Sequence, residues 1–137
     1  MIQRLECRLA IRFAFRHFPL TQIHPHALAA SCAAEAAGLQ SRYWDMHEIL
    51  FHRQKALEDD DLRGYAAELA LDVAQFELDR AGEAVLDRIE RDVRSGIASG
   101  EVRGTPTLFI DGLVYRGSLD PEGISLALAS STAPHTR

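Results

Sequence analysis

Two cysteines, six histidines and the acidic run Glu58–Asp61 are the groups in this chain whose chemistry could exceed ordinary solvation. His24 and His26 form an H-x-H, with His17 and His47 as further metal candidates. No carboxylate or cysteine shares their spacing, as a zinc site would need. The pair therefore reads as polar residues flanking Pro25 at a helix start, and His47 as packing on the face of Trp44. Residues 58–61 read as a solvated helix start, because a calcium loop needs acids at alternating positions and a glycine at its bend. Cys7 and Cys32 are too few and too far apart for a disulfide framework or a zinc pattern. Cys32 sits on an apolar helical stripe and reads as a small core residue. Cys7 reads as a structural or surface thiol, and a cytoplasmic chain disfavours a bridge between the two. Trp44, Met46, Leu50 and Phe51 could line a ligand pocket, but their helical spacing reads as core. Nothing in these groups implies a cofactor.

The elements that must position these residues belong to one compact domain. The 137 residues suit a single core, and 47% hydrophobic with 26% charged residues is ordinary for a globular protein. A net charge of −5 without a basic stripe excludes a nucleic-acid binder. No apolar run is long enough to span a membrane. The charged N-terminus lacks the form of a signal peptide. Taken as written, the chain is expected in the cytoplasm, and an export signal before Met1 would change that.

Periodicity supplies the order of elements. Ile2, Leu5 and Leu9 suggest the end of a helix. Over 11–18 the alternation of Ile11, Phe13 and Phe15 with Arg12, Ala14 and Arg16 predicts a strand stopped by Pro19. A helix from Pro25 carries Leu28, Cys32, Ala36 and Leu39 on one face, with Gly38 as its stop. A second, 41–54, carries Trp44, His47 and Phe51, with Met46 and Leu50 adjoining. A third opens in the acids 59–61 and faces inward with Leu62, Tyr65, Ala66 and Leu69. Asp72 caps a short helix, with Gln75 placed for a capping box. A longer helix, 83–95, turns Val85, Leu86, Ile89 and Val93 inward. Strands 107–110 and 113–116 flank the turn Asp111-Gly112, and Asp120-Pro121 opens a last helix with Ile124 and Leu128 inward. A mixed α/β fold with a helical subdomain grafted on a sheet follows.

Two stretches carry a closer likeness: FRHFPL at 15–20 with HPHALAASCAAEAAG at 24–38 and RYWDMHEILFHRQKAL at 42–57, and GTPTLFIDG at 104–112. In this order they resemble the DsbA-like thioredoxin family of protein-disulfide oxidoreductases, from about Arg4 to Leu128. Domains of the same type are also found attached to sodium/proton antiporters. The resemblance implies an α/β thioredoxin-like fold over 1–130, with a helical insertion at about 24–99 and a tail at 131–137. It aligns Thr105-Pro106 with the family's cis-proline loop, although only about 5% of X–Pro bonds in folded proteins are cis. There Thr105 would present its backbone to an extended protein or peptide thiol or disulfide substrate, making Thr105 and Pro106 the substrate-binding residues.

The family's first strand and its Cys-x-x-Cys turn have no counterpart in these residues. They would lie before Met1, which would make Met1 an internal methionine. The family's reactive thiolate is stabilised at a helix N-terminus. Cys7 aligns near the opposite end of that helix, where the dipole disfavours a thiolate, so no catalytic residue is assigned. The chain as written is expected to be inactive. With a central strand absent, it is also expected to be unstable, to oligomerise through its exposed sheet edges, or to depend on a donor strand from elsewhere. The alternatives are a non-catalytic binding module or the remnant of a fused antiporter tail. Glutathione-dependent isomerases or transferases of related fold are neither supported nor excluded.

Overall fold

The computed structural model describes residues 11–131. The expected helix 2–9, Cys7 and most of the tail lie outside the described residues. Six helices and two strands follow in the order α1 (Ala27–Leu39), α2 (Tyr43–His52), α3 (Asp59–Glu68), α4 (Val73–Arg80), α5 (Glu83–Ser99), β1 (Leu108–Ile110), β2 (Leu113–Tyr115) and α6 (Pro121–Ala129). The chain divides into two compact units. One is 16–98, and the other joins the described residues 11–15 to 99–131.

The helical unit is organised around α1. Cys32, Ala33, Ala34, Ala36 and Ala37 are all buried, so the helix is enclosed on more than the single stripe that periodicity suggests. Small alanine side chains let neighbours approach closely. Met46 and Leu50 of α2, Leu62, Tyr65 and Ala66 of α3 and Phe76 of α4 close one core with them. Cys32 instead meets Val85 and Ile89 of α5, with Leu28 and Val93 alongside. Leu39, expected inward, is exposed.

Several local expectations are corrected. The inward face of α2 is Met46 and Leu50, whereas Trp44 and Phe51 are 38% and 56% exposed. The choice follows from which side α1 covers, a tertiary fact that helical spacing alone does not carry. Helix α1 runs through Gly38, and the left-handed residue after it is Ser41, with φ 62°. Gly38 is helical, and a Cβ there would meet Tyr43 at an ordinary contact distance of 3.4 Å. Asp72 caps α4 by accepting from the Gln75 N–H at 3.0 Å, but the Gln75 side chain turns to Asp79 rather than back to the cap. The reciprocal box is formed by Glu58 and Asp61 at α3 instead. Helix α5 continues past 95 to Ser99, and Leu86 on it is exposed.

The largest correction concerns 11–18. Exposure alternates along Ile11–Phe15 as the sequence suggests, yet the segment belongs to no ladder among the described residues. A period-two pattern specifies an extended chain, and a ladder depends as well on which neighbour lies beside it. One backbone group of the segment bonds to a side chain: the His17 N–H donates to the Asp92 carboxylate.

In the second unit β1 and β2 form an antiparallel hairpin, pairing Leu108 with Tyr115 and Ile110 with Leu113. Asp111 and Gly112 both have positive φ, 49° and 82°, as a two-residue turn matching strand twist requires. Asp120 caps α6, accepting from the Gly123 N–H at 2.7 Å, with Pro121 in the first turn. Tyr115 donates its hydroxyl to the Ser118 carbonyl and lies so close to Gly117 that a Cβ there would clash with its ring and hydroxyl.

Candidate functional site

The loop before the hairpin is held from within. Thr107 Oγ1 donates to the Gly104 carbonyl at 2.6 Å, closing a turn around the two intervening residues. Inside that turn the Thr105–Pro106 peptide is cis, and both residues are exposed. Proline supplies no N–H. The N–H and C=O of Thr105 make no hydrogen bond among the described residues. The loop borders an open groove of about 420 Å³, lined by Glu101, by residues 103–107, by Val114 and Tyr115 of β2 and by Arg116. Two of the lining residues, Arg116 and Glu101, are bonded to each other at 2.8 Å. The arrangement offers an extended segment one donor, one acceptor and a mixed polar and apolar wall.

A second polar constellation lies inside the helical unit. His17 is 4% exposed and Asp92 7%. His17 Nε2 stands 2.8 Å from Glu35 Oε1 on α1, and its N–H donates to Asp92 Oδ2 on α5 at 3.0 Å. The hydrogen bond from His17, more than burial, decides the Glu35 carboxyl: it is held below the usual range. Tyr43 Oη is 3.5 Å from His17 Nε2, and burial, with Glu35 and Asp92 nearby, raises its phenol so that it stays neutral. Arg88 Nε reaches the other Asp92 oxygen at 3.4 Å. Beyond Tyr43, the rings of Trp44, His47 and Phe51 contact one another in sequence, with centroids 4.6–5.2 Å apart. Burial lowers the His47 pKa, helped by the nearby His17.

Thr105 and Pro106 therefore meet at one surface feature. His17 and His47 are placed near each other around Tyr43, while His24 and His26 lie exposed at the start of α1. Among the described residues no three metal-ligating side chains converge. Burial raises the Cys32 thiol pKa, with Arg80 opposing and Glu35 adding, so its thiolate is disfavoured. The His17–Glu35–Asp92 cluster was not foreseen. Its signal was present: His17 continues the inward series 11, 13, 15, and Asp92 falls three residues after Ile89 on the apolar stripe of α5.

A cis-proline loop ahead of a hairpin and closing helix, accompanied by a unit of packed helices, defines a mixed α/β domain of thioredoxin type. The chain belongs to the DSBA-like thioredoxin domain family, whose model matches residues 1–129. Among characterised proteins it is similar to the Na(+)/H(+) antiporter NhaA of Herminiimonas arsenicoxydans, 44% identical over 121 residues, which are 88% of this chain and 19% of that protein. It is similar also to Na(+)/H(+) antiporter NhaA 1 of Salinispora arenicola, 43% identical over 123 residues, 90% of this chain and 19% of that protein. Na(+)/H(+) antiporter NhaA 1 of Mycolicibacterium gilvum is 39% identical over 118 residues, 85% and 19% of the two chains. The chain thus spans about a fifth of the length of these relatives. No solved structure matches it. Among the described residues no helix is long and apolar enough to cross a membrane.

Proposed function

We propose that this chain forms the substrate-presenting part of a DsbA-like thiol–disulfide oxidoreductase domain, with the Thr105–Pro106 loop as the contact for an extended protein or peptide segment. The observation that carries the reading is the exposed Thr105 in the groove lining, whose backbone N–H and C=O make no hydrogen bond among the described residues. An incoming segment pairs with them as a strand pairs with a sheet edge.

The exchange reaction needs a dithiol. A thiolate attacks one sulfur of a substrate disulfide, forming a mixed disulfide and releasing the other sulfur as a thiolate. A second thiol, losing its proton, then attacks the first cysteine's sulfur and releases the remaining substrate thiol. The 137 residues contain Cys7 and Cys32 and no Cys-x-x-Cys. They bind, on this reading, and do not themselves exchange. Insulin reduction tests the second half: the purified 137-residue chain should give no turnover above a thiol-free control. Turnover lost on changing Cys7 or Cys32 to Ser would overturn it.

A second reading is favoured by the antiporter names of the relatives: the domain is a non-catalytic module carried by a membrane transporter. DNA flanking the coding segment separates the two. An in-frame strand and Cys-x-x-Cys upstream supports the oxidoreductase, and apolar spans upstream without that motif support the transporter module.

A further inference from the structure

We propose that Arg103 makes the Thr105–Pro106 groove selective for extended peptides that carry an acidic side chain next to the segment pairing with Thr105. This rests on the reading of that groove as a peptide site and adds the substrate class. Three charged side chains line the groove: Glu101, Arg103 and Arg116. Glu101 and Arg116 are bonded to each other at 2.8 Å and neutralise one another. Arg103 is exposed, and among the described residues it makes no ion pair or hydrogen bond. The groove therefore has an excess of one positive charge, in a chain whose net charge is −5. At physiological salt the Debye length is about 8 Å. The overall negative charge is thus largely screened at the groove, while a cation in its wall acts at contact distance. A guanidinium also grips a carboxylate through two parallel N–H donors, which a neutral or cationic peptide side chain cannot accept in the same way. The open Thr105 backbone sets where the segment lies, and Arg103 then chooses among sequences.

The experiment uses the whole 137-residue chain and three fluorescein-labelled, cysteine-free decapeptides of Gly, Ser, Thr and Val, with a single central Glu, Gln or Lys. Anisotropy titrations should rank them Glu, Gln, Lys, with Glu about two- to fivefold tighter than Gln, as for a solvent-exposed ion pair. Raising the salt should compress the ranking. Arg103→Glu should reverse the order, and Arg103→Gln should flatten it. Arg63→Gln makes the same change in net charge away from the groove and should leave the order intact. Equal affinities for the three peptides, or flattening by Arg63→Gln as well, overturn the selectivity while leaving the groove as a peptide site. Failure of all three peptides to bind overturns both.

Discussion

His17 and Asp92, 75 positions apart, are joined by a hydrogen bond from the backbone N–H of the first to the carboxylate of the second, at 3.0 Å in a buried setting. An extended segment normally satisfies its N–H groups in a ladder. Here a helical side chain does so, and the His17 ring turns at the same time to Glu35. One residue thereby fastens the segment entering the helical unit to both α1 and α5.

Removing that acceptor should be costly. Asp92→Ala removes the buried carboxylate that accepts from the His17 N–H, a loss of about 1–3 kcal/mol. Asp92→Asn keeps an acceptor oxygen and should cost less. Urea denaturation of the 137-residue chain measures both, and equal effects of the two variants would contradict the assignment.

Acid should loosen the same fastening. The Glu35 carboxyl has a lower pKa folded than unfolded, mainly through the His17 hydrogen bond. Its contribution is present above the unfolded value of about 4.3 and is lost as pH falls through the lower folded value. Stability measured between pH 6 and pH 3 should decline with a slope that Glu35→Gln reduces. An unchanged slope in that variant would remove Glu35 from the account.

The helical core should be intolerant of truncation at Phe76, the largest of the fully buried side chains. Phe76→Ala is expected to cost about 3–5 kcal/mol, enough to leave a domain of this size barely folded. Leu126→Ala, at an exposed position of α6, serves as a control and should stay within about 0.5 kcal/mol. Thermal melts of the two variants compare them directly.

The hairpin turn should report backbone strain alone. Gly112 has φ 82°, and no atom lies within 4 Å of where a Cβ would stand. Gly112→Ala therefore tests the left-handed conformation without a clash, with a loss of about 1–2 kcal/mol. Asp111→Asn, at φ 49°, should be nearly neutral because asparagine tolerates that region. Amide exchange across Leu108–Tyr115 follows both changes.

The sequence by itself determined the elements whose signals are local. The Asp111-Gly112 turn, the Asp120-Pro121 start of α6, the Asp72 cap and the inward residues of α3 all depend on groups within a few positions of one another. Thr105-Pro106 was singled out by the likeness of the whole chain to its family, and the GTPT segment alone would not have sufficed. What only the tertiary structure decided depends on partners distant in the chain. Met46 and Leu50 face inward, and Trp44 and Phe51 do not, because α1 covers one side of α2. Residues 11–18 alternate as a strand does, yet they join no ladder among the described residues, and alternation alone does not say which neighbour a segment pairs with. His17 and Asp92 each fall on an inward-facing series in the sequence, but nothing there joins them to each other or to Glu35. Burial makes them a unit, because groups withdrawn from water must satisfy one another.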